Sequence, residues 1–285
     1  MAITAAQVNE LRKKTGAGMM DCKKALTEAE GDITKAIEVL RKKGASVAAK
    51  RAEKSANEGL IVTKVSDDGS KGAMVEVNCE TDFVAKSDDF TNFASSVLDT
   101  VFNKEPKDVE TLLNDNAEIK TKLNDVLGKV GEKIEVSRFA IEKDPDSLVV
   151  DYVHLGSKLG VLVKFDKVTN NKEDLTNIGK DIAMQVAAMK PIAVYREEIP
   201  KDTIEKEIEI YKEIAKKEGK PEQILDKIAN GKLNKFYQEN CLIEQMFIKD
   251  NSIVVGDLIK QFNSKNGTDA KLSLFRRFHL SDENK

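Results

Sequence analysis

The chain has 285 residues, 33% of them charged, with 46 Lys and Arg against 49 Asp and Glu. This length predicts a sizeable core and more than one structural unit, while the net charge of -3 excludes a general drive toward nucleic acid, which needs concentrated positive charge. No apolar run is long enough to span a membrane, the N-terminus has no signal-peptide pattern, and Cys22, Cys79 and Cys241 form no CxxC pair. We therefore expect a reduced, cytoplasmic protein without a disulfide scaffold or a zinc site.

Residues 1–45 carry the pattern of three short helices, which predicts a small docking module. Thr4 and Gln7 have the spacing of a capping box at the start of the first helix, and Asp32 is placed to cap the third. The stretch 46–58 is rich in Ala, Lys and Ser and predicts a helical linker.

A strand–strand–helix plan occupies residues 59–142. Apolar alternation predicts two strands there, and the period then changes to that of a helix. The predicted elements are strands at 60–65 and 73–78, helices at 87–102, 109–114 and 117–129, and a returning strand at 133–141.

The same plan recurs in residues 143–199 and 241–285, which predicts a second subdomain. Its predicted elements are strands at 148–155 and 159–165, a helix through Leu175, Ile178, Ile182 and Met189, a helix through 255–262, and a last strand at 272–280. The repetition indicates an internal duplication. The fold class is therefore α+β, with two related antiparallel sheets, each backed by helices.

Residues 200–240 interrupt the second subdomain with a different pattern. Ile204, Ile208, Tyr211 and Ala215 follow the 4-3-4 spacing of a coiled-coil seam. A Gly-Lys-Pro turn precedes a returning apolar helix. This segment predicts an inserted antiparallel coiled-coil hairpin.

One stretch combines a strand ending with an unusual pair of side chains. The alternation of Val75, Val77 and Cys79 breaks at Thr81-Asp82-Phe83-Val84. A ring beside a carboxylate at a strand end can enter an apolar slot while the carboxylate competes for polar groups or a metal. The alternative is local: Phe83 caps a core and Asp82 caps a helix.

Two segments carry a resemblance to a known family. The first reads LRKKTGAGMMDCKKAL over residues 11–26, and the second reads EVNCETDFVAK over residues 76–86. Together they closely resemble the paired signatures of bacterial elongation factor Ts, the nucleotide-exchange factor of elongation factor Tu. The resemblance covers most of the chain and weakens toward its end.

The resemblance implies that the protein binds the GTPase elongation factor Tu and promotes GDP release without covalent chemistry of its own. It implies an N-terminal fold of the ubiquitin-associated type, and no cofactor beyond the GDP and Mg²⁺ of the partner. The implied exchange wedge is Thr81, Asp82, Phe83 and Val84. The implied partner-binding residues are Arg12, Met19, Met20, Lys23, His154, Phe247 and Ile248. A homodimer through the core or the coiled-coil arm stays open.

Alternatives remain for several of these residues. Met19 and Met20 could equally pack inside the bundle, Phe247 could equally be core, and the strand pattern by itself makes His154 a core residue. A general adaptor is one rival function. A thiol enzyme using Cys79 is another, although its alternation predicts a buried thiol, and the chain has no phosphate-loop, GxSxG or HExxH motif.

Overall fold

The computed structural model describes residues 3–282. Its first three helices are α1 (Ala5–Thr15), α2 (Met19–Glu28) and α3 (Ile33–Arg51). They pack as a bundle around a small buried core of Leu11, Cys22, Leu26 and Ala36. A three-helix module at the N-terminus is thus present, and its third helix continues without a break into the stretch predicted as a linker.

The caps of this bundle follow from its sequence. The Thr4 hydroxyl oxygen accepts a hydrogen bond from the Gln7 backbone N–H, and Gln7 Oε1 accepts one from the Thr4 backbone N–H, which confirms the predicted capping box. Asp32 caps α3 by accepting from the Lys35 N–H, also as predicted. Gly16 ends α1 in the left-handed conformation, at φ 68°.

A three-stranded antiparallel sheet follows, in the order β1-β2-β3. The elements of this part are β1 (Glu58–Val65), β2 (Lys71–Cys79), α4 (Asp82–Ala85), α5 (Asp88–Lys104), α6 (Val109–Asp115), α7 (Ala117–Val130) and β3 (Ile134–Lys143). One face of the sheet packs under the helices, where Val75, Val77 and Cys79 meet Phe90 and Val97. The predicted strands and longer helices of this half all exist.

The second half contains another three-stranded antiparallel sheet, in the order β4-β5-β8. Its elements are β4 (Leu148–Val153), β5 (Leu159–Asp166), α8 (Lys172–Met189), α9 (Lys201–Lys217), α10 (Leu225–Asn240), β6 (Met246–Phe247), β7 (Asp250–Val254), α11 (Val255–Asn266) and β8 (Lys271–His279). Helices α8 and α11 cover one face through Leu175, Ile182, Ile259 and Phe262. The mixture of helices and small antiparallel sheets makes the fold α+β.

The two sheets face each other, so that the core is layered helix, sheet, sheet, helix. Ile61 and Met74 of the first sheet meet Leu162 and Phe278 of the second. Gly160 permits this approach: a Cβ there would lie 2.5 Å from Ile61 Cγ2 and 2.9 Å from Met74 Sδ. Both faces of β2 are therefore buried.

An ion-pair network also joins the two sheets. Arg138 of β3 donates from Nε to buried Glu76 of β2 at 2.8 Å, and from Nη2 to Asp282 at 2.7 Å. The same Nη2 donates to the His279 carbonyl of β8 at 3.2 Å. The end of the described chain is thereby fixed across the sheet interface.

Helices α9 and α10 form an antiparallel hairpin. Ala215 of α9 and Leu225 and Ala229 of α10 are buried between them. The reversal uses Gly219, at φ 75°, followed by a short turn of 3-10 helix before Leu225. Within residues 3–282, no helix has both the length and the apolar character needed to cross a membrane.

The structure corrects the predicted end of one strand, β4, and the prediction for His154 that depended on it. β4 ends at Val153, not at residue 155, and His154 is exposed in the following turn. Gly156 and Ser157 take positive φ values of 89° and 56°, which turns the chain before a longer strand can form. The interpretation of His154 as a core residue was therefore wrong.

Candidate partner-binding site

Phe83 lies on a one-turn helix at the end of β2, and its side chain is 83% exposed. Thr81 adopts an extended conformation and caps this helix by accepting from the Val84 N–H at 3.4 Å. Val84 packs partly against the core and Ala85 is buried. Because Val84 and Ala85 occupy the inner face of this helix, the Phe83 ring points into solvent. It does not cap a local core.

The turn that carries Phe83 is held from the side by Glu132. Thr81 donates from its backbone N and its hydroxyl to the two carboxylate oxygens of Glu132, at 3.1 and 2.8 Å. The Cys79 thiol donates to the Thr81 carbonyl at 3.1 Å. The backbone that precedes Phe83 is thus fixed by several hydrogen bonds.

A second brace acts through Glu80. Arg51, the last residue of α3, donates from Nη1 to both carboxylate oxygens of Glu80 at 2.7 Å, and the Lys133 N–H donates at 2.6 Å. Partial burial acts to raise the pKa of Glu80, but these hydrogen bonds outweigh it and hold that pKa below its usual value. The carboxylate therefore remains an ionised clamp at neutral pH.

Asp82 is half-exposed beside the ring. Its carboxylate pairs with Lys86 one turn later, Nζ to Oδ2 at 2.7 Å. The hydrogen bond from Lys86 is the main reason why the pKa of Asp82 is lowered, with smaller effects from the charges of Lys86 and Lys158. An ionised carboxylate thus stands next to an exposed aromatic ring.

The turn after β4 lies at the same edge of the molecule. Ser157 accepts from the Ile61 N–H at 2.7 Å, and Lys158 pairs with Glu58 at 2.6 Å, at the start of β1. Glu58 is in register with Cys79, close to where β2 leads into the Phe83 turn. The structure therefore brings this turn and the Phe83 turn together.

His154 and Leu155 are the exposed members of that second turn. His154 Nδ1 shares a hydrogen bond of 2.8 Å with the Tyr152 hydroxyl, and Leu155 is 94% exposed. Sequence reasoning missed Leu155 as a candidate contact because it was assigned to the strand. The sequence feature that could have identified it is a large apolar residue directly before Gly156, since glycine favours a turn at this position.

The predicted contact residues of the N-terminal bundle all lie on its surface. Met19 and Met20 are 53% and 63% exposed, so neither packs inside the bundle. Lys23 follows one turn after Met20, and Arg12 is exposed in the last turn of α1. Adaptable thioether chains beside positive charges are suited to a protein contact.

The segment around Phe247 divides between core and surface. The Phe247 ring is only 5% exposed and belongs to the core of the second half, which favours the prediction that Phe247 is a core residue. Met246 and Ile248 are exposed instead, on backbone held by Gln185, which donates to the Met246 carbonyl at 3.1 Å and accepts from the Ile248 N–H at 2.8 Å. A partner could touch the Phe247 ring only after local opening.

Cys79 has none of the properties of a nucleophile. Its side chain is fully buried, as the alternation predicts. Burial, followed by the charge of Glu132, raises the pKa of the thiol to about 12. A reactive cysteine needs a lowered pKa and an accessible sulfur, so the structure contradicts the thiol-enzyme hypothesis.

Comparison with known proteins agrees with the two sequence signatures. A family model described as Elongation factor TS matches residues 80–282. Elongation factor Ts of Prosthecochloris aestuarii is 43% identical over 285 aligned residues, which cover 98% of each chain. The same factor of Chloroherpeton thalassium is 42% identical, with 99% of each chain covered. That of Christiangramia forsetii is 48% identical, covering 90% of this chain and 93% of the relative.

These relatives are elongation factors, and the similarity extends over nearly the whole of both chains in each case. The chain belongs to the elongation factor Ts family.

Proposed function

We propose that this protein is a guanine-nucleotide exchange factor that binds elongation factor Tu and promotes GDP release during translation elongation. Membership of the elongation factor Ts family supports the class of function and the partner. The observation that carries the proposal is an aromatic ring, Phe83, held in solvent on a braced turn beside an ionised carboxylate. An exposed ring on a backbone that is already ordered loses little entropy when a partner buries it.

The proposed mechanism is a coupling of free energies between two ligands of one GTPase. If the factor binds the nucleotide-free GTPase better than its GDP form, GDP must weaken factor binding by the same ratio. A ratio of about a thousand needs about 4 kcal/mol of differential interaction. One ring and one carboxylate supply only part of this, which is why we propose a broad interface.

Within that interface, Phe83 enters the partner beside the magnesium and phosphate region, and Asp82 disturbs the polar contacts of the Mg²⁺. The phosphate loop of the GTPase then loses the backbone N–H groups that hold the β-phosphate. Thr81 and Val84 hold the helix from which the ring projects. The factor forms no covalent bond and uses no cofactor of its own; it acts on the GDP and Mg²⁺ of its partner.

Three further surfaces complete the proposed interface. Met19, Met20 and their charged neighbours bind the GTPase domain from a second side, His154 and Leu155 extend the Phe83 surface, and Met246 with Ile248 reaches another part of the partner. Their exposure supports this assignment. We further propose that the N-terminal bundle has the ubiquitin-associated type of fold, and that the α9–α10 hairpin is a coiled-coil arm inserted between two duplicated subdomains.

The experiment that tests this function is release of a fluorescent GDP from purified elongation factor Tu, with and without this protein. We expect strong acceleration when the protein is present at a small fraction of the GTPase concentration, because an exchange factor is recycled. No acceleration, with both proteins folded, would contradict the proposal. Binding without acceleration would leave the adaptor function.

A further inference from the structure

Helix α3 connects the two ends of the proposed interface. Its N-terminal part packs in the bundle through Ala36 and Leu40, and Lys43 pairs with Asp21 of α2 at 2.6 Å. Its last residue, Arg51, reaches Glu80, one position before the Thr81 that caps the Phe83 turn. About 16 Å of continuous helix separate Leu40 from Arg51.

Between those two ends, α3 crosses α7 at a contact that only glycine permits. A Cβ built on Gly44 would lie 2.0 Å from the Asn124 carbonyl oxygen and 3.3 Å from the Gly128 nitrogen. A Cβ on Gly128 would lie 3.5 Å from the Leu40 carbonyl oxygen and 3.6 Å from Gly44 Cα, which are ordinary contact distances, so the steric constraint falls on Gly44. The Asn124 atoms that oppose Gly44 belong to backbone, so they cannot move aside as a side chain could.

Charged side chains secure the same crossing. Arg41 of α3 pairs with Asp125 of α7 at 3.5 Å. Lys129 of α7 lies over Gly16 at the end of α1, where a Cβ would be 2.8 Å from the Lys129 Cε, and its Nζ pairs with Asp89 at 2.6 Å. The bundle is therefore attached to the first sheet unit along α3 and also at the end of α1.

We propose, resting on the exchange function above, that α3 is a rigid connection that fixes Met19 and Met20 relative to Phe83, and that Gly44 and Arg51 are its positioning residues. Gly44 sets how closely α3 lies on α7. Arg51 ties the end of α3 to the backbone that presents the ring. Neither residue touches the nucleotide; each acts through the placement of the two contact surfaces.

The physical benefit of such a connection is a high effective concentration. Once the methionine surface has bound, a rigid connection brings Phe83 to its site without the entropy loss that a flexible linker imposes. A helix-interior glycine normally lowers the stability of a helix relative to alanine. Retaining one at residue 44 is explained by the close crossing, since alanine does not fit.

The first test measures the connection without any partner. The three native cysteines are buried, so spin labels can be placed through Glu28→Cys on α2 and Asp88→Cys on α5, both at exposed positions. We expect one narrow distance distribution in the otherwise wild-type chain and a broader or shifted one in Gly44→Ala. The matched control is Gly231→Ala in α10, where a Cβ meets nothing within 4 Å.

The second test separates docking from exchange. In GDP-release assays, Gly44→Ala and Arg51→Gln are expected to raise the half-saturating concentration of the factor, by about tenfold or more for Gly44→Ala, while the maximal rate is kept. Arg51→Lys should restore much of the loss, because the pairing observed uses one nitrogen of Arg51. If Gly44→Ala fails to fold, Arg51→Gln still tests the positioning role. The Arg51 side chain is 38% exposed, so we expect this variant to fold.

The two tests distinguish failure of the α3 proposal from failure of the proposed exchange function. If the wild-type protein accelerates no GDP release, the proposed function fails and the distance measurement alone decides about the connection. Distance distributions in Gly44→Ala that match those of Gly231→Ala would overturn the rigid connection. Unchanged half-saturating concentrations in both Gly44→Ala and Arg51→Gln would overturn the positioning role.

Discussion

Thr81 and Glu132 join the end of β2 to the turn before β3 through two hydrogen bonds, of 3.1 and 2.8 Å, that engage both carboxylate oxygens. Thr81 is also the cap of the one-turn helix that carries Phe83. The pairing therefore sets the direction in which the ring leaves the surface. A ring that is already oriented loses less entropy when it enters a partner.

Replacing Thr81 tests whether this orientation matters. Thr81→Val keeps the shape but removes the hydroxyl that caps α4 and binds Glu132, so we expect a loss of about 1–2 kcal/mol in the free energy of unfolding. The maximal exchange rate should fall about fivefold, the factor that corresponds to about 1 kcal/mol. Urea unfolding and GDP release check both.

Thr81→Ser is the matched control, because it retains the hydroxyl. It should resemble the wild-type protein in both measurements. If Thr81→Val and Thr81→Ser have the same free energy of unfolding and the same maximal exchange rate, the Thr81 hydroxyl does not orient the Phe83 ring.

Leu155 offers a test of the missed contact. Because its side chain is 94% exposed, Leu155→Ala should leave the free energy of unfolding within about 0.5 kcal/mol of wild type. Losing a leucine that becomes buried on binding should raise the half-saturating concentration in GDP release about tenfold. Leu155→Met should stay near wild type. An unchanged half-saturating concentration in Leu155→Ala would place the residue outside the interface.

Asp282 makes stability depend on pH. Burial acts to raise the pKa of Asp282, but hydrogen bonds from Arg138 and the His279 N–H outweigh it, so the folded pKa lies below the unfolded value of about 3.9. A lowered folded pKa means that this stabilisation is present above the unfolded pKa and is lost as pH falls through the folded pKa.

The measurement is urea unfolding between neutral pH and pH 3 for the wild type and Asp282→Asn. We expect the variant to be less stable at neutral pH and the difference between the two proteins to shrink as the solution becomes acidic. A difference that stays constant with pH would show that the Asp282 charge does not couple to folding.

Gly179 tests the packing of α8 on the second sheet. A Cβ there would lie 2.7 Å from Val150 Cγ2 and 3.1 Å from Phe165 Cε2. We therefore expect Gly179→Ala to lower the free energy of unfolding by about 1–3 kcal/mol, although alanine is the better helix former. Gly231→Ala on the exposed arm should be neutral or stabilising. Equal effects of the two substitutions in urea unfolding would contradict this packing.

Local periodicity was sufficient to predict most elements. α5 was predicted from its apolar stripe, and Phe90, Phe93 and Val97 are indeed buried. α4 was missed because four residues make one turn, too short to show a period. The two-residue β6 was missed for the same reason.

Long-range packing was the information that the sequence pattern lacked. Glu76 and Asn78 lie on the second face of β2 and are buried, because the other sheet covers that face. No local sequence pattern predicts that the two sheets pack face to face. The exposure of Phe83 was equally undecided, since a local core contact and a protruding ring have the same sequence.

The most direct test of the exchange mechanism is GDP release from elongation factor Tu at saturating Phe83→Ala. Since Phe83 is 83% exposed, the variant should fold with wild-type stability and still bind the nucleotide-free GTPase. We predict that its maximal exchange rate falls about thirtyfold, the factor for a contact worth about 2 kcal/mol. A maximal rate equal to that of the wild type would contradict the wedge.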